Sequence, residues 1–178
     1  MSDYRRAKVA GGTYFFTVNL ADRSSDLLTR RIDLLRGAFR YARREQPFRI
    51  DAIVILPDHL HAVWTLPEGD LDFSNRWRRI KAHFSHALNR GERRSESRIA
   101  KGERGIWQRR FWEHLIRNDA DYARHVDYVH INPMKHGHVR RAGDWPYSSF
   151  HRYLRAGLYP RDWTGNGDLD DAHDFGES

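Results

Sequence analysis

The sequence predicts an α+β fold, an antiparallel sheet with amphipathic helices packed mainly on one face. Three observations carry that expectation. Residues 13–20, 50–56 and 59–66 are β-branched and aromatic runs of strand character, bounded by turn residues. Residues 24–46 and 73–88 repeat apolar side chains at helical spacing. Only Pro57-Asp58 separates the second and third runs, so they form a hairpin, which breaks the regular alternation a parallel sheet needs.

In chain order, Gly11-Gly12 precedes the first strand, Thr13-Tyr14-Phe15-Phe16-Thr17-Val18-Asn19-Leu20. Ser24, Ser25 and Asp26 offer N-caps to a helix whose stripe is Leu28, Ile32, Leu35, Phe39 and Ala42, and Pro47 ends it. After the hairpin, Pro67-Glu68-Gly69-Asp70 leads to a second helix. It sets Phe73, Trp77, Ile80 and Phe84 on one face and Arg76, Arg78, Arg79 and Lys81 on the others. Residues 90–104 are polar, rich in Arg, Glu, Ser and Gly, and read as an inserted mobile loop. Aromatic character returns over 106–115 as a further strand. Asn118 or Asp119 then caps a third helix, expected to end near Ile131 ahead of Asn132-Pro133. The order βαββαβα is followed by Trp145, Tyr147, Phe150, Tyr153, Tyr159 and Trp163, then an acidic, Gly-rich end. Residues 1–143 are read as the domain carrying the chemistry, and 144–178 as an extension packing on or near its core.

Composition narrows the partners. Lys and Arg number 31 against 24 acidic residues, giving a net charge of +7, and the pI is about 10.0. Arginine outnumbers lysine heavily, which suits bidentate phosphate recognition and points to a polyanion, although a merely soluble basic surface has the same balance. Cysteine is absent, which excludes disulfides and thiolate metal sites. No run of 18 apolar residues stands in the chain, so a membrane partner is not expected. Nothing after Met1 has signal-peptide character, and a cytoplasmic setting is expected.

His59-Leu60-His61 supplies the chemistry. On a strand, residues i and i+2 share a face, so both imidazoles aim at one point while Leu60, Ala62 and Trp64 face away. Such a pair is half of a divalent-metal site, or only two surface histidines on an edge strand. On the third helix Tyr122, Val126 and Val129 fall in one arc, which makes Tyr122 the core tyrosine. Tyr128 lies roughly 120° from that arc, with Asn132 four residues beyond it. A tyrosine so placed is a half-exposed ring or a nucleophile. With a reference pKa of about 10, a phenol attacks phosphorus poorly without help, and a cation lodged on hard ligands supplies it. Mg²⁺ and Mn²⁺ suit phosphate oxygens, histidines favour Mn²⁺, and Asn132 is the best-placed third ligand. Asp58 is either a carboxylate orienting a histidine or an ordinary turn residue. Trp107 and Trp112 either stack on unpaired bases or fill the core.

At these residues the chain resembles the REP-associated tyrosine transposases, a branch of the single-tyrosine HUH transposases. The HUH motif is His59-Leu60-His61, and the tyrosine motif is Asp127-Tyr128-Val129-His130-Ile131-Asn132-Pro133-Met134-Lys135-His136-Gly137. Trp107-Gln108-Arg109-Arg110-Phe111-Trp112-Glu113-His114 matches a further family element, and Gly12-Thr13-Tyr14-Phe15 stands where the family has Gly-Thr-Trp-Phe. The resemblance implies a ferredoxin-like HUH nuclease core and a metal-dependent single-strand endonuclease and strand transferase. Tyr128 would form a 5′-phosphotyrosine link, while His59, His61 and Asn132 hold the metal. The implied substrate is a single-stranded DNA hairpin from repetitive extragenic palindromes. Gly12, Thr13 and Tyr14 would meet the tetranucleotide at its foot, and Arg76, Arg78, Arg79, Lys81, Arg109 and Lys135 would provide further DNA contacts. A nucleoid-associated bacterial monomer acting in cis is implied, with the C-terminal tail folded back over the site. Two other readings stay open: a catalytically silent nucleic-acid-binding regulator of the same fold, and a hydrolase using activated water with Tyr128 structural.

Overall fold

The computed structural model describes residues 8–165 and 175–177, so most of the acidic end lies outside them. Alternation along β1 (Thr13–Asn19) sends Tyr14, Phe16 and Val18 to one face and Phe15 and Thr17 to the other. The 24–46 helix is split in two, α1 (Leu27–Arg30) and α2 (Ile32–Glu45), because Arg31 between them leaves helical geometry at φ −115 and ψ 36. β2 (Arg49–Ile55) and β3 (His59–Thr65) form the expected hairpin. On β3, Leu60, Ala62 and Trp64 join Tyr14 and Phe16 in the larger core, and His59, His61 and Val63 face the opposite way.

α3 (Phe73–Ala87) opens on Asp72, whose carboxylate accepts the Asn75 N–H. With α2 it covers the Trp64 face, where the Trp64 and Trp77 rings stack at 4.1 Å between centroids. The insertion read as loop contains a short helix, α4 (Glu96–Ala100). β4 is only Trp112–Leu115, because Trp107 makes no more than an isolated bridge to Leu20. The sheet order is β2-β3-β1-β4, every neighbour antiparallel, in the α+β class expected.

α5 (Asp119–Lys135) crosses the other face over Phe15, Val54 and Val63, so the sheet is covered on both sides, with the two longer-packed helices α2 and α3 on one of them. Asn118 caps it by accepting the Asp121 N–H. The helix does not stop at Ile131. A proline inside a helix withholds one N–H and crowds one carbonyl, and here the buried Pro133 is accommodated near the end. The His136 N–H still reaches Asn132 O at 3.0 Å, so Asn132, Lys135 and His136 continue the face begun by Tyr128.

Residues 145–149 run along the outer edge of β2, with the Ile55 N–H on Tyr147 O and the Ser149 N–H on Ile53 O. α6 (Phe150–Arg155) follows. Tyr159 donates to Asp127 and so accepts from His130 Nδ1, which leaves His130 Nε2 to accept from Ser149 Oγ. Burial lowers His130 to about 3 and keeps it neutral in this network. His114 pairs with Asp121 at 2.9 Å, tying β4 to α5.

Arg76 is corrected by the fold. It is fully buried, and its guanidinium donates to Gln46 O, Pro47 O, Asp72 O and Asp70 Oδ2, so it pins the turn between hairpin and α3 and offers nothing to a phosphate. Truncation leaves those acceptors without their donor. Arg76→Ala is therefore expected to lower the unfolding free energy by roughly 2–4 kcal/mol in urea titration, against under about 0.5 kcal/mol for exposed Arg78→Ala. Equal effects would remove Arg76 from this structural role.

Candidate functional site

The register of β1 against β3 sets Thr17 opposite His61 and Asn19 opposite His59. His59 Nδ1 lies 2.8 Å from Asp58 Oδ1, and Asp58 Oδ2 is held by Arg23 at 2.6 Å. This carboxylate therefore orients the ring, the first of the two roles open to Asp58. The Nδ1 proton faces Asp58, which leaves the Nε2 lone pair buried and without a hydrogen-bond partner among the described residues. Burial opposes charge on His59, but Asp58 and Glu177 outweigh it and raise its pKa.

His61 is oriented by a hydroxyl. Thr17 Oγ1 gives its single hydrogen to Phe175 O at 2.6 Å, so its 2.7 Å contact with His61 Nδ1 requires the proton to sit on that nitrogen. The His61 Nε2 lone pair is then aimed at Glu177 Oε1, 2.8 Å away. Burial lowers His61 to about 4, so at neutral pH its ring is neutral and Nε2 is an acceptor beside the carboxylate. Glu177 Oε1 also takes Asn132 Nδ2 at 3.0 Å and His136 Nε2 at 3.3 Å, and His59 Nε2 is 3.8 Å off. These neighbours hold the Glu177 carboxyl far below the usual carboxylate range despite its burial. Asn132 Oδ1 is buried with no partner among the described residues.

This donor set fits a hard divalent cation. Two oriented imidazole lone pairs, an amide oxygen with no partner among the described residues and a carboxylate converge, and His59, His136 and Glu177 place ligand atoms within 4.8 Å of one another. The structure brings together His59, His61 and Asn132, the three singled out by spacing, and adds His136 and Glu177, which spacing did not single out.

Tyr128 is not on a polar face. It is fully buried, whereas Tyr122, expected in the core, is only partly buried and sends its hydroxyl to Asp51 at 3.3 Å. The wheel misleads because α5 is covered on two sides, by the sheet and, at Tyr128, by residues 175–177. Phe175 lies flat on the Tyr128 ring at 3.6 Å and 5°, and Phe15 meets it edge-on. Lys135 Nζ donates to the Tyr128 hydroxyl and to Glu177 Oε2, each at 3.1 Å. Burial first, then Glu177, push the phenol well above its ordinary pKa. The tail is seated closely: Gly176 has φ +68, and a Cβ there would stand 2.3 Å from Trp112.

The other expected DNA contacts fall into two groups. Tyr14 is fully buried, its hydroxyl on the Val9 backbone, and is not free to stack on a base. Beside it Gly12 is crowded by Val9 O, and Thr13 bonds Thr65. Arg78 and Arg109 are exposed, Arg79 and Lys81 half-buried, all on or beside α3 and remote in the fold from the α5 face. Lys135 belongs to the tyrosine, as above.

A curated REP-associated tyrosine transposase of Escherichia coli (strain K12) is 54% identical over 166 residues, 93% of either chain. This chain belongs to the REP-associated tyrosine transposase family. A solved structure described as such a transposase bound to a REP hairpin shares 53% identity and a TM-score of 0.82, covering 96% of this chain and 94% of that one. No protein-family model matches the chain.

If Phe175 is what shields the phenol, Phe175→Ala opens it. Tetranitromethane is expected to spare Tyr128 in the native protein and nitrate it in the variant, read by peptide mass. Unchanged protection would place the shield elsewhere.

Proposed function

We propose that this family member is a metal-dependent single-stranded DNA endonuclease and strand transferase that acts on REP hairpins through a 5′-phosphotyrosine on Tyr128. The observation that carries the reading is the convergence of His59, His61, Asn132 and His136 on one point, with Lys135 bridging from there to the Tyr128 hydroxyl. A transposase bound to a REP hairpin among its relatives supports the substrate.

His59, His61 and Asn132 would hold Mg²⁺ or Mn²⁺, with His136 at hand as a further nitrogen. The cation supplies positive charge for the oxygens of the scissile phosphate as negative charge builds there. Tyr128 attacks phosphorus: the phenolic O–P bond forms, the bond from phosphorus to the 3′ oxygen breaks, and a free 3′-OH leaves. The phenolic proton passes to water, and water reprotonates the departing oxygen. Lys135, charged and against the hydroxyl, stabilises the phenolate and so offsets the burial that otherwise opposes ionisation. A 3′-OH returning to the phosphotyrosine reverses the step on the same or another strand. The chain enters this cycle after residues 175–177 leave the ring and the imidazoles, since in the closed form Glu177 occupies their meeting point.

Labelled REP hairpin DNA with Mn²⁺ should give a protein–DNA adduct that survives denaturation, and Tyr128→Phe should abolish it. His59→Ala should lose cleavage by at least about 100-fold while keeping salt-sensitive DNA binding, because phosphate contacts dominate affinity. An adduct from Tyr128→Phe would overturn the assignment, cleavage without an adduct would indicate activated water, and binding alone would indicate a silent regulator.

A further inference from the structure

The 90–111 segment has no part in the site above, yet it is built against α3. Arg104 donates to Ser85 O, Leu88 O and Asn89 O at the end of α3 and pairs with Glu92, so the segment is folded back over that helix. Arg98 holds the other side through Trp107 O at 3.2 Å. Between segment and helix lies a cleft of 520 Å³, on the sheet face opposite Tyr128.

Its walls are aromatic and its rim is cationic. Trp77, Trp107 and Phe111 line it, with Arg78, Lys81 and Arg109 around them. Lys81 Nζ sits 5.5 Å from the Phe111 ring centre and donates to Gln108 O. Arg109 shares an exposed pair with Glu103, and Arg78 leans on Asn75, both contacts that water or a phosphate replaces readily. Aromatic rings in the walls and cations on the rim suit a flat ligand that carries an anionic group, and a nucleotide is one. The volume is that of a small-molecule site, enough for one nucleotide and far too small for a duplex.

We propose that this cleft seats one unpaired nucleotide of the DNA substrate, its base against Trp107 and Phe111 and its phosphate on Arg78 or Arg109. The inference rests on the DNA-processing reading and adds a second contact point away from the tyrosine. Residues 107–112 connect the two: they run from the cleft to Trp112 on edge strand β4, 39% exposed and against the tail on the Tyr128 side. A strand passing round that edge reaches both.

The test is a binding titration, by fluorescence anisotropy, with a REP hairpin carrying single-stranded flanks and one abasic position walked through every unpaired site. One position should weaken binding by about tenfold. Ala82→Trp plugs the cleft from an exposed helix position, and Trp107→Ala removes a ring from its wall. Both should bind intact DNA as weakly as the native protein binds that abasic DNA, and should no longer respond to the abasic site. A flat scan, or a scan unchanged in Ala82→Trp, overturns the proposal. Adduct formation on the same DNA is read separately: a flat scan with an adduct removes only the cleft, and a tenfold step without an adduct removes only the nuclease reading.

Discussion

Glu177 Oε1 is the point on which the α5 face of this molecule is built. One carboxylate oxygen touches His61, Asn132 and His136, and its partner oxygen touches Lys135, which in turn holds the Tyr128 hydroxyl. Those groups come from β3, from the end of α5 and from a segment more than 110 residues beyond the histidines in the chain. Buried imidazole lone pairs directed at one another's space are costly unless something positive or protonated lies between them. The strands fix the nitrogens too firmly to turn away, because Asp58 and Thr17 each hold the far side of a ring. The closed form satisfies the arrangement only in part: His59 Nε2 and Asn132 Oδ1 have no partner among the described residues.

The helix supplies the other half. Continuation of α5 through Pro133 sets Asn132 one turn after Tyr128 and Lys135 nearly two turns after it, on the side where the histidines lie. Had the helix ended at Ile131, the amide and the ammonium would sit on a loop with no fixed relation to the phenol. Phe175 then lies on that ring, and Gly176 has the only side chain that clears Trp112. The result is a cluster of two histidines, an amide, an ammonium and a phenol covered by its own chain.

Local pattern accounts for much of this and fails where contacts are distant. The alternation Leu60, Ala62, Trp64 against His59 and His61 follows from strand geometry alone, and the structure reproduces it because one face had to bury the Trp64 ring. Tyr128 was misread by the same kind of reasoning. A helical wheel assumes one covered arc, and α5 is covered by both sheet and tail. Arg76 looked like one of a basic series, but a buried carbonyl cluster around residues 46, 47 and 72 claims it. Glu177 and Phe175 carry no periodic signal at all. Their meaning lies in partners that only the folded chain brings near.

The most direct measurement is the yield of covalent protein–DNA adduct with Mn²⁺ in Glu177→Ala against the native chain, with the Tyr128→Phe, Glu177→Ala double variant beside them. If the tail closes a competent site, removing the carboxylate from the meeting point raises the adduct severalfold, and the double variant forms none. A fall in adduct on Glu177→Ala, or an adduct in the double variant, contradicts the account.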